Sequence, residues 1–451
     1  MAAHANDELA RNLKGRHIQL MAIGGTIGTG LFLGAGKSIQ AAGPAIVLAY
    51  LLCGVMAFFL MRALGELLMS DLSQHSFIDF VARYLGARAA AVTGWIYWLC
   101  WVSLAMAEVT AVGVYVRFWL PSVPQWLPGL VVLLVLGAVN LISVGLFGEA
   151  EFWFALIKVI AILALIGVGL VLIVGHVQTA AGPATLRNLV AHGGFFPRGV
   201  SGFMMAFQMV VFSFTGIELV GLTASETRDP QTAIPSAINQ LPVRIILFYV
   251  GALIVIMSLS PWTAVSADSS PFVQVFEALG VPGAAGVVNF VVLTAAASAC
   301  NSGLYSTGRL LYSMAATSPT PRMRGLAKLS RRQVPARAIL ASTAVIAVAV
   351  GLNYFLPASV FILVSSVATI SFLFVWVMIV LTHLRYKRQQ PVGPFAAPLF
   401  PWGDWFVLAF LAMVVVIMML SRDTAVATLI AGGVIGALFI GSGRRRARGH
   451  L

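Results

Sequence analysis

The sequence predicts an all-α membrane protein with twelve transmembrane helices, ten of them arranged as two inverted five-helix repeats. Three observations lead there. The first is composition: of 451 residues, 60% are hydrophobic and only 10% charged, with a mean hydropathy of +0.95. A soluble domain carries about 25% charged residues, and runs of about 20 apolar residues mark spanning helices. The second is charge placement. The basic residues cluster at Arg11, Lys14 and Arg16, at Arg83 and Arg88, from Arg322 to Arg337, from Arg385 to Arg388 and from Arg444 to Arg448. These positions fall in alternate connections and at both ends of the chain. The other connections hold few, such as Arg187, Arg198 and Arg422. This asymmetry is the positive-inside pattern; it puts both termini in the cytoplasm and requires an even number of spans. The net charge of +13 is thereby a topology signal, and no nucleic-acid partner is expected. The third observation is a pair of interruptions inside apolar runs, at Gly24-Gly25-Thr26-Ile27-Gly28-Thr29-Gly30 and at Phe212-Ser213-Phe214-Thr215-Gly216-Ile217-Glu218.

Taken in order, the spans are expected at 17–42, 44–68, 89–119, 126–144, 149–175, 197–224, 235–261, 282–314, 336–355, 358–384, 402–420 and 424–441. Residues 1–16 form a cytoplasmic tail, 17–175 the first repeat, 176–384 the second, 385–441 two peripheral spans and 442–451 a basic cytoplasmic tail. Segment 69–88 reads as a short amphipathic interfacial helix, 264–280 as a short outer helix over the site, and 176–196 as the longest outer connection. The first ten residues are polar and the first apolar run is itself a span, so no cleavable signal is expected. Cys53, Cys100 and Cys300 lie in apolar runs without metal-ligand spacing, which predicts neither a disulfide framework nor a metal site.

The first interruption has four glycines in seven residues, and each glycine costs a helix about 1 kcal/mol relative to alanine. It divides span one into half-helices His17 to Ile23 and Leu31 to Ala42. Backbone groups released by such a break survive in hydrocarbon only where they line a cavity or bind a ligand. Glycine-interrupted spans in corresponding positions point to a transporter's site. A close-packing face from Gly24 to Gly28 is the competing reading, but packing alone does not need the polarity of the two threonines. The second interruption comes five spans later. An odd number of spans per repeat inverts the second copy and brings the two breaks together at the repeat interface.

A half-helix beginning at Thr29 or Gly30 turns its positive end and free N–H groups toward the cavity, which suits a carboxylate. Carbonyls released near Ile23 to Thr26 and near Phe212 to Thr215, with the Ser213 and Thr215 hydroxyls, suit an ammonium. The two breaks together match the head group of an α-amino acid, read largely through backbone. Gly28 belongs to the same stretch, and Phe212 and Phe214 either close over a substrate or face lipid or core. The alternative for Thr29, Ser213 and Thr215 is a hydrogen bond back to their own helices. Cys100, Leu104 and Glu108 recur at i, i+4 and share one face of span three, as one wall of the pocket.

Ionisable residues within spans carry an insertion penalty of about 2.5–3.5 kcal/mol and mark ion paths or relays. Lys158 in span five, Glu108 in span three and Glu218 after the second break are the candidates for proton coupling; static structural pairing is the alternative for Lys158 and Glu108. Arg62 and Glu66, at i, i+4, are expected to pair. Glu226, Arg228 and Asp229 read as a gate or a solvated turn. Ser298, Asn301 and Ser302 form a polar stripe on span eight that either faces the first break or bonds a neighbouring helix. No Ser–His pair, zinc motif or facing aspartate pair suggests an enzyme, and no cofactor beyond the coupling proton is expected.

These residues carry a resemblance. Arg16-His17-Ile18-Gln19-Leu20, Gly43-Pro44, Met61-Arg62-Ala63-Leu64-Gly65-Glu66, the run from Phe147 to Phe154 and Glu226-Thr227-Arg228-Asp229-Pro230, with the two breaks, resemble the bacterial amino acid transporter family of the amino acid–polyamine–organocation superfamily. The likeness covers nearly the whole chain. It implies a leucine-transporter-like fold, proton symport, alternating access and residence in the bacterial inner membrane. It matches Thr26, Thr29 and Gly30, and Phe212, Ser213 and Thr215, to substrate-facing stretches. Lys158 matches a buried lysine in a sodium-like position, and Glu218 an acidic residue used in proton coupling or pH response. Gly94 to Trp101, Ser258 to Trp262 and Thr294 to Ser302 are similar to the D-serine/D-alanine/glycine permease branch, which implies small neutral substrates. Glu108 stands where that branch is expected to carry aspartate. The longer side chain leaves an aromatic or bulkier amino-acid permease as the alternative, beside an exchanger or a non-transporting sensor.

Overall fold

The computed structural model describes residues 27–74, 76–142, 144–219, 221, 230–318, 320–357, 359–390 and 395–448. Ten helical stretches among them are long and apolar enough to cross a membrane, and Trp126–Ile142 is a shorter apolar helix. The chain is therefore a multi-pass, all-α membrane protein. The first of the ten, Gly34–Ser70, is two helices, Gly34–Ala42 and Ile46–Ser70, joined by a tight 3-10 turn at Gly43–Ala45. Gly43 makes that corner possible. Its φ is +62°, and a side chain there would collide with the ring of Pro197. The turn couples span two mechanically to the half-helix that leaves the first break.

Span three (Ala87–Val116), span eight (Ala284–Ala316) and span ten (Val360–Gln389) form the packed centre. Small residues permit the approach: a side chain on Gly303 would lie 2.9 Å from Cβ of Ala105, the close-packing use of small residues in membranes. Span five (Val144–Val174) leaves much of its surface exposed, with Val171 at 72% and Val174 at 80%, as a helix facing lipid should.

The interfacial helix expected within 69–88 is Phe77–Leu85, opened by a capping box in which Ser76 and Asp79 exchange hydrogen bonds with each other's backbone; this satisfies two of its orphan donors. The stretch around the helix expected at 264–280 comprises a 3-10 turn at Trp262–Ala264 and a helix at Pro271–Ala278. It lies on span one: Phe272 packs edge-on against Phe32 at 4.8 Å, and a side chain at Gly36 would meet the Ser266 carbonyl at 2.8 Å. Gln40 also donates to the Val265 carbonyl. The connection at 176–196 contains a two-residue hairpin and a short helix, Asn188–Ala191.

Candidate functional site

The structure describes the second interruption from its preceding helix onward; at the first it describes only the stretch from Ile27. Gly28 is extended (φ −127°, ψ −157°), and a helical turn begins immediately at Thr29–Phe32, where the half-helix facing the cavity is expected to start and two residues before the Leu31 bound. Leu33 breaks regularity again before Gly34–Ala42. Residues 17–23, expected as a half-helix, and the candidates Ile23 and Thr26 lie outside the described residues, as do Glu226, Arg228 and Asp229. In span six the helix ends at Phe212, residues 213–216 form a turn, and one 3-10 turn follows at Ile217–Leu219. Gly216 takes φ +90° in that turn, which a residue with a Cβ adopts only at a cost.

The two breaks touch. A side chain on Gly30 would lie 2.6 Å from Cα of Ser213 and 2.9 Å from its hydroxyl. At the first break, Glu108 reaches across from span three: its Oε1 accepts from the Thr29 amide at 3.3 Å and the Thr29 hydroxyl at 3.0 Å. A side chain on Gly28 would come within 2.7 Å of the same oxygen, so this approach needs glycine. The free N–H expected to receive a carboxylate thus receives one supplied by the protein itself. Among the described residues, the second oxygen of Glu108 is buried without a hydrogen-bond partner.

At the second break the hydroxyls are satisfied locally. Thr215 donates to the Phe212 carbonyl at 2.7 Å; Ser213 donates to Met209 at 3.1 Å and shares a 3.0 Å bond with the Tyr50 hydroxyl. The Ser213 carbonyl accepts from Tyr249 at 3.2 Å. Phe214 stacks on Tyr249 at 5.3 Å and lies beside Tyr50 at 6.0 Å. Its ring therefore points toward spans two and seven. Phe212 meets Phe361 of span ten edge-on at 6.1 Å. Cys100 and Leu104 are buried on span three, and all three cysteines are free thiols.

Lys158 is fully buried and donates to the Ile27 carbonyl at 3.2 Å, at the lip of the first break, and to the Ser298 hydroxyl at 2.9 Å. Ser298 in turn donates to Glu151 at 2.6 Å. The polar stripe of span eight thus divides: Ser298 serves the break through Lys158, while Asn301 accepts from Asn140 of span four at 2.8 Å. The sequence reading passed over Glu151, which sits two turns before Lys158 on the same helix. That i, i+7 spacing between a carboxylate and an ammonium was the available signal.

Glu218 is buried apart from these groups and accepts from the Trp376 indole at 3.0 Å. The Arg62–Glu66 pairing is corrected. Arg62 bonds Asn239 at 3.0 Å and the Ala396 carbonyl, and stacks on Phe395 at 3.7 Å. Glu66 is taken instead by His383, Lys387 and the Ala397 amide. Sequence spacing cannot reveal these stronger partners, which come from span ten and the segment after it.

The profile of the amino acid permease family matches residues 17–441. The chain is 55% identical to the amino-acid permease AapA of Bacillus subtilis (strain 168), over 98% of this chain and 96% of that protein. It is 48% identical to the D-serine/D-alanine/glycine transporter of Escherichia coli (strain K12), over the same shares. It is 45% identical to the aromatic amino acid transport protein AroP of Escherichia coli (strain K12), over 93% of this chain and 92% of that protein.

Proposed function

The chain belongs to the amino acid permease family, and from that premise we propose that it imports small neutral amino acids, glycine, alanine and serine in L and D forms, by proton symport. The observation that carries the reading is the Glu108 carboxylate on the amide of Thr29. A substrate carboxylate seeking the same N–H must displace it. A protonated Glu108 holds the amide more weakly than an ionised one, because hydrogen bonds to a charged acceptor are about twice as strong as neutral ones. Proton uptake and substrate entry then favour each other, which is what symport requires. The substrate ammonium is held by backbone at the breaks, and Lys158 stands as a fixed cation beside Ile27.

On this reading residues 17–384 form two inverted repeats in the bacterial inner membrane with both termini cytoplasmic, and the breaks alternate access between the two faces. The small-substrate assignment draws on the D-serine/D-alanine/glycine relative and on the tight contact at Gly30 and Ser213, which leaves little room between the breaks. The length of Glu108 and the aromatic-transporting relative favour the second reading, a bulkier substrate.

Uptake into proteoliposomes tests both. With an imposed inward proton gradient, no sodium and no internal substrate, radiolabelled glycine should accumulate, and D-alanine and D-serine should compete better than phenylalanine or lysine. Uptake only against internal amino acid would replace symport by exchange. Competition dominated by phenylalanine would move the assignment to aromatic substrates.

A further inference from the structure

A second buried ionisable cluster lies away from the breaks, at the end of the protein that carries Arg385 and Arg388. His383 of span ten is fully buried between two carboxylates. Its Nδ1 is 2.7 Å from Oδ2 of Asp404 in span eleven (Trp402–Leu420), and its Nε2 is 3.1 Å from Oε2 of Glu66 in span two. Glu66 also accepts from Lys387 at 2.8 Å and from the Ala397 amide at 2.6 Å. Among the described residues, the groups that also face the cluster include Tyr386, whose ring lies 6.2 Å from His383, Tyr84 against Tyr386, and Phe400, which covers both His383 and Lys387. Arg62 lies one turn before Glu66 and bonds outward to Asn239 and Ala396.

The donor count is the key. A neutral imidazole has one N–H and one lone pair, so it cannot donate to two ionised carboxylates. Both nitrogens nevertheless face carboxylate oxygens at hydrogen-bond distance. The cluster is satisfied only when it holds one further proton, on His383 or on one carboxyl. With that proton the quartet of Glu66, Asp404, His383 and Lys387 is neutral. Without it, a lone pair opposes a carboxylate among buried side chains. The cluster also spans a mechanical joint. Glu66 sits on span two, which the turn at Gly43 links to the first break, while His383 and Asp404 belong to spans ten and eleven, and the Ala397 amide fastens the segment between those spans to Glu66.

We infer that Glu66, His383 and Asp404 form a second proton site that acts as a latch: protonated, it fastens span two to spans ten and eleven; deprotonated, it releases span two and speeds turnover. The ligand is a proton taken from the face that carries Lys387, so the latch makes transport rate respond to pH on that face.

Asp404→Asn tests it, because an Asn amide donates to the lone pair of a neutral His383, whose other N–H still serves Glu66; the latch is then satisfied without the extra proton. Two profiles are measured between pH 6 and pH 9. One is thermal unfolding of the purified protein, which needs no substrate and so stands apart from the transport assignment. The other is glycine counterflow with pH varied only on the face bearing Lys387. The wild type should melt at progressively lower temperature and exchange at least threefold faster as pH rises. Asp404→Asn should be flat in both and stay at the slow, low-pH rate. Asp404→Ser, whose hydroxyl donates to the same lone pair of neutral His383, takes its place if the first variant folds poorly. A variant that runs parallel to the wild type in either profile overturns the latch.

Discussion

Gly30 and Ser213 are in van der Waals contact across the two interrupted helices, so closely that a methyl group on Gly30 would lie 2.6 Å from Cα of Ser213. Backbone meets backbone here, and neither side can rotate away as a flexible side chain would. The contact fixes the spacing of the two breaks and the distance between any groups that receive the two ends of one amino acid.

Gly30→Ala should therefore separate the breaks. Overpacking of this kind costs about 1–3 kcal/mol, which a protein of this size can survive. Glycine uptake should fall by more than about tenfold, because a displacement near 1 Å at a binding constellation can cost about a hundredfold. Uptake and melting temperature measured together check the point. Uptake close to wild type would show that the spacing of the breaks is not critical.

Glu108→Gln preserves an acceptor for Thr29 but removes the charge. The variant should still bind and exchange glycine, yet fail to concentrate it under a proton gradient. Gly28→Ala is the steric counterpart: its methyl would fall 2.7 Å from Oε1 of Glu108 and push the carboxylate off the Thr29 amide. It should weaken the pH dependence of substrate binding while leaving Glu108 ionisable. Isothermal binding at two pH values and gradient-driven uptake measure these effects. Full accumulation by Glu108→Gln would remove Glu108 from coupling.

Much of this arrangement was legible in the sequence. The Ser-Phe-Thr-Gly stretch announced the second break, since it contradicts helix propensity inside an apolar span, and the glycine-rich run announced the extended Gly28 from which the helix at Thr29 starts. Intramembrane charge singled out Lys158, Glu108 and Glu218. The partners were not legible. Ser298 reaches Lys158 and Glu151 from another helix, and His383 finds Glu66 across 317 residues of sequence. Such contacts are set by how spans pack, and helical periodicity reports only which residues share a face. The Arg62–Glu66 expectation failed for that reason: i, i+4 spacing permits a pair, but a buried carboxylate takes the donors that desolvate with it.

Trp376→Phe should destabilise the protein by about 1–3 kcal/mol, the cost of leaving a buried acceptor unsatisfied, because Glu218 loses its indole donor at 3.0 Å. Glu218→Gln combined with Trp376→Phe should cost less than the sum of the two single changes, since the donor and the charge it serves disappear together. Unfolding of the four proteins in one detergent gives the coupling. Strict additivity would mean that the Trp376 indole does not stabilise the carboxylate.

Lys158→Ala separates structural from coupling roles. Removing the ammonium leaves Glu151, bridged through Ser298, as a buried carboxylate without its cation, and breaking such an arrangement from one side costs about 3–5 kcal/mol. Glu151→Gln in the same chain removes the stranded charge and should recover a large part of that loss. If Lys158 serves only to neutralise Glu151, the double variant should also recover gradient-driven accumulation. If the ammonium at the Ile27 carbonyl takes part in coupling, the double variant should melt near the wild type and bind glycine, yet fail to accumulate it. We expect the second outcome, because Lys158 donates directly to the Ile27 carbonyl, while among the described residues Glu151 is linked to it through Ser298.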